Sequence, residues 1–188
     1  MLPAYIIHNS NQIERKDLVV NLIQTTGATV VEAVWNTKDP VLGCRESHKK
    51  VAKLAKERHP DTPYLVFEDD CEILDPSFLT LLKEHPSVDL LYFGVNGFCL
   101  HMQPFPIKHS WGTHALYITP KVRDAILEKE QLYMKLQFPR YDYPFDQLLC
   151  VMAHLEHWSV WKPDESSMTR WVRQKPGLVS SISGSVRS

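Results

Sequence analysis

The chain has no excess of charge of either sign, no Cys-x-x-Cys pair, no long apolar run and no internal repeat. Lysine and arginine total 21 against 22 aspartate and glutamate, a formal net charge of −1, so no strong field draws it to nucleic acid or to an anionic membrane. Its partners are expected to be small or neutral molecules. Cys44, Cys71, Cys99 and Cys150 stand far apart, which speaks against a zinc ribbon and against a disulfide framework. Reduced thiols and a cytoplasmic location are the expectation. No stretch reaches the roughly 20 apolar residues of a membrane span. The opening Pro3-Ala4-Tyr5-Ile6-Ile7 lacks the basic n-region and long apolar h-region of a secretory signal. Neither membrane insertion nor export is expected.

What is present suits one globular domain over residues 1–188, because 44% apolar content can fill a sizeable core. Ala4 to Ile7 reads as a buried strand, His8-Asn9-Ser10-Asn11 as a turn and helix cap, and Asn11 with Glu14 as a capping box. Leu18, Val19, Leu22 and Ile23 recur at helical spacing up to Gly27, and Thr29 to Val34 has the β-branched content of a strand. After Asp39-Pro40, the residues Cys44, Ser47, His48, Val51, Leu54 and Ala55 fall on one helical stripe that ends near Arg58 to Pro60. Tyr64-Leu65-Val66-Phe67 follows as a buried strand. Alternating strands and helices predict an α/β fold with a mostly parallel central sheet flanked by helices, whose ligands collect beyond the carboxyl ends of the strands.

That rule brings three polar segments to one crevice: His8 to Asn11, the helix with Ser47 and His48, and Glu68-Asp69-Asp70. Further on, Leu90 to Phe93 and Ala115 to Ile118 read as strands, Lys121 to Glu130 and Phe145 to Ala153 as helices, and Trp158 to Trp161 as a short strand. The tail 174–188 reads as an extended closing segment or as partly disordered.

Three consecutive carboxylates directly after an apolar strand repel one another unless a cation or hydrogen-bond donors compensate them. In an extended or turning segment Glu68 and Asp70 project together and Asp69 points elsewhere. Their hard oxygen donors favour Mg²⁺ or Mn²⁺. The alternative is a solvated acidic loop.

Here a resemblance becomes specific. Gly43-Cys44-x-x-Ser47-His48 followed by Tyr64-Leu65-Val66-Phe67-Glu68-Asp69-Asp70 resembles the signature region of glycosyltransferase family 25. Gly112-Thr113-His114-Ala115, Pro144-Phe145-Asp146 and Pro176-Gly177-Leu178 ahead of Ser180-Ser181-Ile182 extend the match, in order, over nearly the whole chain. The opening departs from the family, since His8-Asn9-Ser10 precedes Arg15 where a Leu-Asp-x-x-x-Arg-like segment is usual, and the chain is short for the family.

The resemblance implies a single-domain GT-A fold of Rossmann-like character, with Glu68 and Asp70 on a divalent ion that bridges the diphosphate of a nucleotide sugar. It also implies an inverting displacement, which needs a carboxylate base on the acceptor side. Asp146 matches the family's position for it, with Asp142 as the nearby alternative. Asp146 otherwise reads as an acidic residue favourable to a helix N-terminus.

His8, Asn9, Ser10, Arg15, Ser47, His48, Glu68, Asp69 and His114 are the candidate donor contacts, Glu68 in addition to its place on the metal. Arginine pairs well with phosphate, and short polar side chains can read a uracil edge or ribose. For Ser47, His48 and His114 the other reading is a structural hydrogen bond. Among the tryptophans Trp111, Trp158, Trp161 and Trp171, only Trp111 stands out as a sugar platform, because it adjoins Gly112-Thr113-His114. The expected reaction is hexosyl transfer from a nucleotide sugar, UDP-linked by preference, to a hydroxyl of a glycan, lipid-linked sugar or protein. The competing readings are a metal-dependent phosphoesterase, which calls for further His or Asp ligands, and a nucleotide-sugar-binding module without turnover.

Overall fold

The computed structural model of the chain describes residues 2–101, 107–137, 144–164, 166–167 and 169–176. The first half alternates as expected: β1 (Ala4–His8), α1 (Lys16–Thr26), β2 (Thr29–Glu32), α2 (Pro40–Arg58) and β3 (Tyr64–Glu68). β4 (Cys71–Ile73) follows the acidic turn, then α3 (Leu81–Glu84) and β5 (Leu90–Tyr92). The second half comprises β6 (Gly97–His101), β7 (Ile107–Trp111), β8 (Ala115–Ile118), α4 (Pro120–Gln137), α5 (Phe145–Leu155), β9 (Val160–Trp161) and β10 (Val172–Gln174).

Six strands form the central sheet in the order β2-β1-β3-β8-β5-β9. β1 pairs in parallel with β2 and β3, β5 in parallel with β9, and β8 runs against both β3 and β5. The sheet is thus mostly parallel with one reversed strand, and all of β1, β2 and β3 end at the same edge. Two small ribbons accompany it, β4 with β10 and β6 with β7, both antiparallel.

Strand alternation sends neighbouring side chains to opposite faces, and each face has its own core. Tyr5, Ile7, Tyr64, Val66, Tyr92 and Leu116 pack with Val51 and Ala55 of α2, Ile126 of α4, and Phe145, Leu148 and Met152 of α5. Ala4, Ile6, Leu65, Phe67, Leu91 and Phe93 pack with Val19 and Leu22 of α1, with Phe78, and with Leu81 of α3. Helices therefore cover both faces, as the near-continuous apolar runs of β1 and β3 require.

Local chemistry fixes the ends that matter for the site. Asp39 caps α2 by accepting from Leu42 N at 2.9 Å, with Pro40 in the first turn. The capping box of Asn11 and Glu14 does not form; Asn9 makes the turn instead, its carbonyl accepting from Gln12 N at 2.8 Å and its Oδ1 from Asn11 N at 3.1 Å. Gly43 lets α2 pass close to the segment after β2, since a Cβ there would lie 2.7 Å from Val34 O. Buried Glu130 joins α4 to α2, taking Arg45 at 2.8 Å and Lys49 at 2.9 Å. Cys44, Cys71 and Cys150 are in no disulfide. No helix among the described residues is long and apolar enough to cross a membrane.

Candidate active site

The acidic triplet sits where β3 turns into β4, and its three carboxylates have three different surroundings. Asp69 is fully engaged: it accepts from His8 Nδ1 at 2.9 Å, from Asn9 N at 3.2 Å and from the guanidinium of Arg15. Arg15 is only 3% exposed and its Nη1 also lies 3.7 Å from Asp70 Oδ2. Arg15 is thus the internal counter-charge of the triplet, held by the short helical turn ahead of α1.

Glu68 ends β3 with its backbone N–H donating to His114 O at 2.9 Å. Its Oε1 is shared between His48 Nε2 at 3.2 Å and the hydroxyl of Thr113. Burial opposes its ionisation, but the hydrogen bond and charge of His48, the Thr113 hydroxyl and the His114 charge prevail and hold its carboxyl down at about 2. Asp70 is the opposite case: burial and then the Glu68 charge push it up to about 7, against the pull of Gln174 and Arg15. Its Oδ2 accepts from Gln174 Nε2, while Oδ1 is buried and accepts no hydrogen bond among the described residues. Two carboxylates that repel each other, one of them with an oxygen lacking a donor, form the arrangement a hard divalent cation would satisfy.

A pocket opens beside this turn, lined by Asn9, Arg15, Val34, Trp35, Ser47 and His48 together with Glu68 and Asp69, while Asp70 lies behind it. Ser47 fixes the wall by accepting from Val34 N at 2.8 Å and donating to Gly43 O at 2.7 Å. His48 is buried and stacks on Phe145 of α5 with ring centroids 4.5 Å apart. Trp35, half exposed, lines the pocket as well. Ser10 stands apart and donates through N and Oγ to Glu32 Oε1 at 3.1 and 3.2 Å.

His114 is buried between two glycines: a Cβ on Gly94 would come within 2.9 Å of Nε2, and one on Gly112 within 2.9 Å of Nδ1. Asp146, in the first turn of α5, accepts from Gly112 N at 3.0 Å and from Gln147 N at 2.8 Å. The segment 112–114 therefore links Asp146, through Gly112 and Thr113, to Glu68. Asp142 and the Trp111 side chain lie outside the described residues.

Three groups of this site went unnamed in the sequence reading. Trp35 directly follows the predicted strand 29–34 at the ligand edge, a signal that was there to find. Thr113 lies inside the Gly112-Thr113-His114 motif but acquires its role only by touching Glu68. Gln174, whose Oε1 accepts from Asn96 Nδ2 at 2.6 Å while its Nε2 serves Asp70, had no signal, because only the pairing of β10 with β4 brings it there.

No protein-family model and no curated protein matches the chain. Solved structures do. The chain is similar to a glycosyltransferase involved in the glycosylation of the major capsid of PBCV-1, with 15% identity over 81% of this chain and 73% of that one and a TM-score of 0.47. It is also similar to the glycosyltransferase GlyE of Streptococcus pneumoniae TIGR4. The apo form gives 12% identity and a TM-score of 0.48, and another structure of it 8% and 0.50, each over 86% of this chain and 45% of GlyE. The chain thus spans less than half the length of GlyE. At such identity the likeness is one of fold: a mixed α/β fold similar to that of a glycosyltransferase.

Proposed function

We propose that the chain is a metal-dependent, inverting glycosyltransferase that moves a hexose from a nucleotide sugar, UDP-linked by preference, to a hydroxyl of a glycan, glycolipid or protein acceptor. The observation that carries this reading is the pair Glu68 and Asp70 at the carboxyl end of β3, beside a pocket with an aromatic rim. Among the described residues Asp70 Oδ1 has no donor, and the His48 and Thr113 hydrogen bonds to Glu68 both fall on Oε1. These oxygens fit Mn²⁺ or Mg²⁺ by charge and hardness. When bound there, the ion neutralises charge developing on the departing diphosphate.

The remaining parts belong to the chain's own residues. The indole of Trp35 offers a flat face to a nucleobase, and Asn9 offers a polar edge to the nucleoside. Arg15, His8 and Asn9 N hold Asp69, and so fix the turn that carries Glu68 and Asp70. Asp146 is the base of this reading: an acceptor hydroxyl gives its proton to the carboxylate as its oxygen attacks the anomeric carbon opposite the leaving nucleotide. The backbone N–H groups of Gly112 and Gln147 fix that carboxylate in position. A phosphoesterase would call for a second oxygen-rich ligand set. The further cluster among the described residues is Cys44, His48 and Glu68, whose thiol suits a softer ion.

The test is UDP release from a panel of UDP-hexoses with Mn²⁺, with and without simple glycan acceptors. Metal-dependent release is expected, and Asp70→Asn should lower kcat/KM by about 10²-fold or more with an unchanged far-ultraviolet circular dichroism spectrum. Undiminished release by Asp70→Asn at saturating metal contradicts the assignment of Asp70, and nucleotide binding without turnover on any sugar supports the binding module instead.

A further inference from the structure

Cys44 and His48 are one helical turn apart on α2, so both side chains leave the same face of the helix. That face meets the end of β3, where the Cys44 sulfur, a His48 ring nitrogen and a Glu68 carboxylate oxygen all lie within 4.8 Å of one another. The three line one pocket, with His48 and Glu68 already in contact at 3.2 Å. Thiolate, imidazole and carboxylate are the donor set of zinc, which takes three protein ligands and keeps a fourth position open where a ligand can enter. Hard ions such as Mg²⁺ do not compete well for sulfur.

We propose that Cys44, His48 and Glu68 form a second metal site, for Zn²⁺ or a similar soft transition ion, opening into the pocket. Two features suit the assignment. His48 is fixed by its stacking on Phe145, and a ligating histidine with a locked ring loses little freedom on binding. Cys44 is also only partly buried, where Cys71 and Cys150 are buried, so the ion can reach it. On binding, the Cys44 S–H proton passes to solvent as the S–Zn bond forms, with no change of oxidation state. The site does not rest on the transferase reading, but the two share Glu68. Zn²⁺ held between Cys44 and His48 draws that carboxylate away from the Glu68–Asp70 pair. Zinc bound here therefore opposes Mn²⁺ binding.

The test uses the reduced full chain without nucleotide, titrated with Co²⁺ alone as a spectroscopic stand-in for zinc. A thiolate-to-cobalt absorption band saturating at one equivalent and abolished by Zn²⁺ is expected. Cys44→Ser should remove the band and His48→Gln should weaken Co²⁺ binding by about tenfold or more, whereas Asp70→Asn and Cys150→Ser should keep it. Absence of the band in the unaltered chain, or its survival in Cys44→Ser, overturns the proposal. A second measurement needs no variant: Zn²⁺ should slow alkylation of Cys44 by iodoacetamide, read by peptide mass, at least about tenfold. An equal rate with and without Zn²⁺ overturns it too. Calorimetry with UDP and Mn²⁺ reads the transferase site separately, so failure of one leaves the other standing.

Discussion

Asp69 and Asp70 show how neighbouring carboxylates serve opposite ends around one cation, Arg15. The Arg15 guanidinium is enclosed with Asp69, and removing one member of a buried pair leaves the other without compensation. Arg15→Ala should therefore lower stability by about 3 kcal/mol or more, measured by urea unfolding. A stable variant that merely binds nucleotide less tightly would instead make Arg15 a donor contact. Asp70 carries the pH dependence. Its carboxyl rises from an ordinary 3.8 to about 7 in the fold, so the stability it contributes is full below pH 4 and is lost as pH rises through 7. Glu68 runs the other way, lowered from 4.5 to about 2, and its contribution is lost only as pH falls below 4.5. Between pH 5 and 8 the Asp70 effect is the one that changes. The metal-free chain should lose melting temperature over that range, and Asp70→Asn should flatten the loss. Mn²⁺ should raise the midpoint more at pH 8 than at pH 5; an equal rise at both would contradict a cation at Asp70.

At the scale of elements, the site depends on how closely β5, β10 and the 112–114 segment approach. Gly94, just beyond β5, has no room for a side chain: a Cβ would stand 1.9 Å from Val172 O of β10 and 2.9 Å from His114 Nε2. Backbone cannot yield as a side-chain tip can, so Gly94→Ala should cost about 3 kcal/mol or more, read by thermal unfolding, and should loosen Gln174 from Asp70. Strong apolar runs made β1, β3 and β8 legible in the sequence, and the stripe from Cys44 to Ala55 did the same for α2. The ribbon of β4 and β10 was not legible. Val172-Arg173-Gln174 has no periodicity of its own, and its pairing with Cys71–Ile73 joins residues about a hundred positions apart. The same limit applies to roles within the triplet. Sequence spacing predicts that Asp69 stands apart from Glu68 and Asp70, but that Arg15 is the partner of Asp69 emerges only when the turn ahead of α1 is folded against the end of β3.

For the molecule as a whole, three strands of a mostly parallel sheet end together, and the segments leaving them supply an aromatic rim, a buried cation and two carboxylates in one crevice. A mixed α/β fold of this kind hosts many activities, so the activity must be tested at the crevice. The decisive measurement is calorimetric titration of the chain with UDP and with GDP, each with and without Mn²⁺, repeated on Trp35→Ala and Asp70→Asn. The transferase reading predicts Mn²⁺-dependent binding of UDP in preference to GDP, weakened about tenfold in Trp35→Ala by loss of base stacking, with the dependence on Mn²⁺ abolished in Asp70→Asn. Binding of neither nucleotide, or equal binding with and without Mn²⁺, would contradict it.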